Sequence, residues 1–290
     1  MPGIPRMWLD SIVYLYTSVE AARSGATEGG TGFLTYVDFQ TPGLPVDGGH
    51  LYAVTNAHVI EGGATNLRVN KVLGGSDVIP LTFPENWRLH PDGDDLAIAS
   101  LAIDSQVFRK SAVGITMAVT RDLFDTEQLS PGDEVVFIGR YLNHEGREEN
   151  RPVVRSGIIA QVGGDPVRQE RLSGIRYQES ILVEERSLGG ASGSPVFCYR
   201  DARLRGTDGG NEVLVAPMAG MPIRLLGINW GHHHISEQVR LDGTEEATGQ
   251  YVPSNSGVAM VVPAWKLTEF LDTLSDSRRA AEEHWLKNNT

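Results

Sequence analysis

Cysteine is almost absent from this chain. Cys198 is the only one in 290 residues, so no intramolecular disulfide can form. A lone thiol fits a reducing compartment. Long apolar runs are also missing. No stretch approaches the roughly 18 residues that a membrane-spanning helix needs, and the first ten residues, MPGIPRMWLD, lack the basic segment and apolar core of a secretory signal. The expectation is a cytoplasmic protein that does not engage membranes. Positive charge is scarce as well: 25 Lys and Arg stand against 37 Asp and Glu, for a net charge of −12. Without a basic stripe, nucleic acid and anionic lipid are poor partners, and the acidic excess serves solubility. No repeat of 20 to 50 residues is present, which excludes solenoids and propellers. No His-Glu-x-x-His run occurs. Three consecutive residues, His232, His233 and His234, cannot converge on one ion from a strand, because alternate side chains point to opposite faces. No metal site is expected.

What the chain does have is turn chemistry. It carries 33 Gly and 15 Pro, about one residue in six, which suits many short strands better than a helical bundle. Strands are predicted at Ser11–Ser18, Thr31–Val37, His50–Thr55, Asn66–Val72 and Asp95–Leu101. After the Pro131-Gly132-Asp133 turn, a second group follows at Glu134–Gly139, Val153–Val162, Ser180–Glu184, Pro195–Tyr199, Val213–Ala216, Leu225–Trp230 and Val258–Val262. Such spacing predicts an all-β sandwich or barrel, and two groups of similar size predict two barrels. The β pattern fades over Ser105–Gln128. At the end the period changes: Leu267, Phe270, Leu271 and Leu274 form one helical face, with Pro263 placed near the helix start. Arg200–Asn211 and Ser236–Asn255 read as inserted loops. This gives a first barrel over 8–115, a second over 128–263, and a C-terminal helix and tail over 264–290.

Three short segments carry chemistry. Ala53-Val54-Thr55-Asn56-Ala57-His58-Val59 runs a strand into a histidine. Asp94-Asp95-Leu96-Ala97 puts acids at the mouth of an apolar strand. Gly189-Gly190-Ala191-Ser192-Gly193-Ser194-Pro195 holds a serine in a tight turn. A serine nucleophile needs a neutral imidazole to take its proton, and the imidazole needs a carboxylate to fix its tautomer. Glycine beside the serine lets the backbone N–H groups of Gly190 and Ser192 turn toward one oxyanion.

In the order His, Asp, Ser, these segments resemble the chymotrypsin/trypsin-like serine peptidases, most of all the bacterial Deg-type (high-temperature-requirement) branch. Gly30-Thr31-Gly32-Phe33-Leu34 is similar to the family's Gly-rich early strand. Pro131 through Gly139 and Ser156-Gly157-Ile158-Ile159 are similar to the start of its second barrel. Leu226-Gly227-Ile228-Asn229-Trp230-Gly231 is similar to the substrate-pocket strand, and Gly257–Pro263 to the last strand. The resemblance implies two six-stranded antiparallel β-barrels, and peptide-bond hydrolysis through an acyl-enzyme without metal or cofactor. By position it makes His58 the general base, Asp95 its orienter, Ser192 the nucleophile, and Gly190 and Ser192 the oxyanion donors. Asp94 is the rival acid; Asp95 directly precedes the apolar strand, as in the family pattern. An α/β-hydrolase is disfavoured, since its order is Ser, acid, His and its elbow needs Gly where Ser194 stands.

The substrate pocket implied by the resemblance includes Arg186, six residues before Ser192, with Asn229, Trp230 and Gly231. Pointing inward, Arg186 would select an acidic side chain. Turned outward onto Glu184 or Glu185, it would leave a small apolar pocket, the arrangement favoured by the cost of burying an unpaired guanidinium. Ala191 stands where many relatives carry the Asp that pairs with a newly cut N-terminus, so activation of that type is not expected. The residues after Val262 are too few for the PDZ domain usual in the Deg-type branch, which leaves regulation to loops, termini or a protein partner. Cys198 reads as an inert core thiol, His90 and His144 as surface residues, His232–His234 as part of the pocket rim, and Trp265 and Trp285 as packing residues. Two functions follow: a serine endopeptidase acting on protein or peptide substrates, or a non-hydrolytic interaction module on the same scaffold.

Overall fold

The computed structural model describes residues 4–26, 29–125, 129–141, 146–185, 190–199, 204–208, 211–215, 223–240 and 247–289. In its first half the strands are β1 (Ile12–Tyr16), β2 (Gly30–Asp38), β3 (Gly49–Thr55), β4 (Asn66–Asn70), β5 (Ser76–Ile79), β6 (Trp87–Leu89), β7 (Ala97–Leu101) and β8 (Val113–Gly114). Short helices α1 (Arg6–Leu9), α2 (Val19–Ser24) and α3 (Ala57–Glu61) are interleaved with them. After α4 (Arg121–Asp125), the second half holds β9 (Glu134–Gly139), β10 (Val153–Gln161), β11 (Val167–Arg171), β12 (Gly174–Gln178), β13 (Ile181–Glu184), β14 (Pro195–Tyr199), β15 (Leu204–Asp208), β16 (Asn211–Val215), β17 (Ile223–Arg240) and β18 (Ala247–Pro263). Helices α5 (Ala264–Asp272) and α6 (Ser275–Asn289) end the chain. None of the described helices is long and apolar enough to cross a membrane.

The two-barrel plan of a mostly β chain is present, with one difference in the first half. The second half closes into a six-stranded barrel in the order β10-β13-β18-β17-β14-β9. The first is an eight-stranded sheet in the order β5-β4-β1-β2-β3-β7-β6, with β8 beside β2, curled as a half-barrel. β5, β6 and β8 escape the sequence reading because they are two to four residues long. They carry too few alternations to set a period.

Strand alternation explains the continuous apolar runs. In β1, Val13 and Leu15 enter the core of the first half while Ile12, Tyr14 and Tyr16 face a central cluster between the halves. In β9, Val135 and Phe137 enter the second core while Val136 and Ile138 face that same central cluster. Both faces of these strands are therefore buried, so neither shows a polar alternation. Cys198 lies wholly inside the second core, and burial pushes its thiol up to about 12.

Several loops prove to be strands. The 236–255 segment is not an irregular insertion: it extends the β17–β18 hairpin, with His234 opposite Asn255 and Arg240 opposite Ala247. β15 and β16 form their own two-stranded sheet within the 200–216 region, so Val213–Val215 adds no strand to the barrel. A further hairpin, β11–β12, rises between β10 and β13. The C-terminal helix buries Leu267, Phe270 and Leu271 but stops at Asp272, so Leu274, expected on the same face, lies in the turn before α6. The residues beyond it are not a tail. α6 packs back on the first half, and its Glu282 carboxylate accepts from the N–H groups of Gln40 and Thr41, the Thr41 hydroxyl and His50 Nε2.

Candidate active site

Asn56 and Ala57 turn β3 into α3, which places His58 on the first turn of a five-residue helix. The other end of the construction is a tight turn in which the Leu96 N–H donates to the Asp94 carbonyl at 2.7 Å. That turn buries Asp95 completely. The Asp95 carboxylate then meets the histidine twice. Its Oδ2 lies 2.7 Å from His58 Nδ1, and its Oδ1 accepts the His58 backbone N–H at 2.9 Å. Asn56 Nδ2 donates to the Asp95 carbonyl at 2.9 Å, tying the two segments together. Burial alone would raise the Asp95 carboxyl. The hydrogen bond and charge of His58, with a further bond from Gln169, outweigh burial and hold it below the usual carboxylate range.

Asp94 faces elsewhere. Its carboxylate contacts Lys266 Nζ at 3.3 Å and accepts from Gln178 Nε2 at 2.9 Å. His90, read from sequence as a surface residue, is buried; its ring packs edge-on against Phe270 with Nδ1 3.6 Å from Asp94. The apolar Phe270 contact and the Asp94 carboxylate draw it in, and burial lowers its pKa.

The serine loop is held from two sides. Thr31 N–H donates to the Ser192 carbonyl at 2.9 Å, and the Thr31 hydroxyl donates to the Gly190 carbonyl at 2.8 Å. The Thr31 carbonyl in turn accepts the Thr55 hydroxyl at 2.7 Å, one residue before Asn56. From the second barrel, Asn229 Nδ2 donates to the Ala191 carbonyl at 3.1 Å, and its N–H donates to the Ser194 carbonyl at 2.9 Å. Gly193, at φ +87°, sits where a Cβ would lie 1.9 Å from the Thr31 carbonyl oxygen. The Ser192 hydroxyl donates to the Trp230 carbonyl at 3.4 Å.

The structure thus pairs His58 with Asp95 in the first half and gathers Ser192, Gly190, Asn229 and Trp230 in the second, with Thr31 and Thr55 linking the two groups. Gly231 follows in β17 opposite Met260. Arg186 and His144 lie outside the described residues. Asn229 is buried and its amide faces the serine loop, while Trp230 turns its indole N–H to the Ser180 hydroxyl at 3.0 Å. Glu185 is buried beside Arg155 at 3.1 Å, with its carboxyl raised chiefly by burial. Trp265 is buried in the second core and Trp285 is half exposed on α6. Nothing in the sequence marks Gln169 or Gln178, because glutamines on a strand hairpin match no catalytic spacing rule. Thr31 was visible only as part of a Gly-rich strand.

A trypsin-like peptidase domain matches residues 30–206, more than half of the chain, and the protein belongs to that family. No curated protein matches the sequence.

Proposed function

We propose that this chain is a serine endopeptidase in which Ser192 is the nucleophile, His58 the general base and Asp95 its orienter. The observation that carries the reading is the double contact between Asp95 and His58. A carboxylate on both the ring Nδ1 and the backbone N–H of one histidine fixes the neutral tautomer with its Nε2 open as an acceptor.

In the reaction, the Ser192 hydroxyl turns from the Trp230 carbonyl to His58 Nε2, a contact that commonly tightens only with substrate bound. Ser192 Oγ bonds to the scissile carbonyl carbon as its proton passes to Nε2. The resulting imidazolium is stabilised by Asp95. The C–N bond then breaks as His58 returns the proton to the departing amine, and water repeats the sequence on the acyl-enzyme.

The developing oxyanion is received by backbone N–H groups of Gly190 and Ser192. Supporting this, the Ala191 carbonyl is pinned by Asn229 Nδ2 and by the Ser194 N–H. In a trans peptide the N–H of Ser192 must point the opposite way. Among the described residues it has no backbone acceptor. Asn229, Trp230, Gly231 and Arg186 bound the substrate pocket in this proposal, and substrates are proteins or peptides. The finer likeness to the Deg-type branch, a cytoplasmic setting and control by a protein partner are parts of the same proposal. They rest on the motif set, the single buried thiol of Cys198, and the exposed Tyr251 and Val252 of the extended hairpin.

The test is labelling with a fluorophosphonate. Modification of the parent at Ser192, absent in Ser192→Ala, supports the reading. A folded parent that is never labelled favours the non-hydrolytic module.

A further inference from the structure

We propose that Gln169, braced by Gln178, is a positioning residue for Asp95, so that the β11–β12 hairpin holds the triad carboxylate in place. This deepens the proteolytic reading and rests on it. Gln169 Nε2 lies 2.5 Å from Asp95 Oδ2, the same oxygen that faces His58 Nδ1. Only the NH₂ end of an amide can pair with a carboxylate, so the orientation of Gln169 is fixed by chemistry. Its own Oε1 is buried and has no hydrogen-bond partner among the described residues. A glutamine serving the fold alone would satisfy both ends; this one satisfies the end that faces Asp95.

Nine residues along the chain, Gln178 completes the grip. Its Oε1 accepts the Asp95 N–H at 2.6 Å, and its Nε2 donates to Asp94 at 2.9 Å. Both glutamines are buried. The hairpin is anchored beside them by Arg171, which pairs with Glu61 at the end of α3 through Nε and Nη2 and donates from Nη1 to the Gly93 carbonyl at 3.0 Å. One hairpin therefore grips the helix that carries His58 and the turn that carries Asp95.

The charged groups around Asp95 leave Gln169 a distinct effect. His58 touches the carboxylate directly. Asp94 is turned to Lys266 and His90, and Glu61 is neutralised by Arg171. Gln169 is then the neutral donor that shares Oδ2 with the imidazole. Removing it concentrates negative charge on the oxygen facing Nδ1, which favours the imidazolium and raises the His58 titration midpoint.

The experiment titrates His58 by NMR in the parent, Gln169→Met and Gln169→Asn, with peptide hydrolysis measured alongside. Met keeps the length without the donor. Asn keeps the amide but withdraws it by one methylene, and stands in if Met fails to fold. In a folded variant, the midpoint is expected to rise by about half a unit or more. kcat should fall about tenfold or more with KM within about threefold. A midpoint that stays at the parent value, or a kcat that does not fall, overturns the proposal. Should the parent hydrolyse no peptide, proteolysis fails as a function, and the midpoint alone decides the role of Gln169.

Discussion

The backbone N–H of Thr31, in the first half, donates to the carbonyl of Ser192, in the second, at 2.9 Å. With Thr55 on its carbonyl and Gly190 on its hydroxyl, Thr31 joins the strand that leads to His58 with the loop that holds Ser192. The close approach leaves no room for a side chain at Gly193, where a Cβ would also lie 2.4 Å from the Thr55 hydroxyl. Gly193→Ala is expected to cost at least about 2 kcal/mol, from the left-handed backbone and the clash together. A thermal melt should show it as a fall of roughly 4–8 °C in Tm. An unchanged Tm would mean that the loop is not held as described.

Ser192→Ala, His58→Ala and Asp95→Asn should each lower kcat for peptide hydrolysis by roughly 10³-fold or more without unfolding the chain. A double variant should lose little more than either single one, since the groups act as a unit. Asp94→Asn should be mild, because Asp94 spends its charge on Lys266. A crippled Asp94→Asn beside an active Asp95→Asn would reverse the assignment of the acid.

The pH profile follows from which groups must be neutral and which charged. Asp95 is held below the usual carboxylate range, so it stays ionised while the imidazole titrates. The low-pH limb of kcat/KM should therefore report one proton on His58. Rates that stay flat down to about pH 4, below the range in which imidazoles titrate, would rule out a histidine base.

Asn229 holds the Ala191 carbonyl and thereby aims the Ser192 N–H. Asn229→Leu should lower kcat about tenfold or more while leaving KM within about threefold. A variant that binds a ground-state peptide more weakly than the parent, with kcat retained, would confine Asn229 to substrate binding.

Glu282 fastens α6 to the first half. Its side chain is 2% exposed and accepts four hydrogen bonds. Burial alone would raise its carboxyl, but the bonds from Thr41, His50 and Gln40 lower it below 4.5. A carboxyl lowered by folding adds stability above its unfolded value, and that stability is lost as pH falls through the folded one. Glu282→Ala should therefore cost about 3 kcal/mol at pH 7, and the gap to the parent should shrink below about pH 4.5. Denaturant melts at the two pH values measure this. A gap that is constant with pH would detach the effect from the charge.

By itself, the chain's pattern determined the β class, the two groups of strands, the helix seeded by Leu267, Phe270 and Leu271, and the three segments around His58, Asp95 and Ser192. These are local signals: alternation, turn residues, and glycines beside a nucleophile. Only the tertiary structure decided which acid meets the histidine, since Asp94 and Asp95 are adjacent and chemically alike, and the tight turn sends them to opposite partners. It also decided that His90 is buried, that α6 returns to the first half, and that Gln169 and Gln178 reach Asp95. Each of those contacts joins residues far apart in the chain through an amide, an imidazole or one carboxylate. Such groups have no periodicity, and their partners are selected by geometry after the barrels have formed.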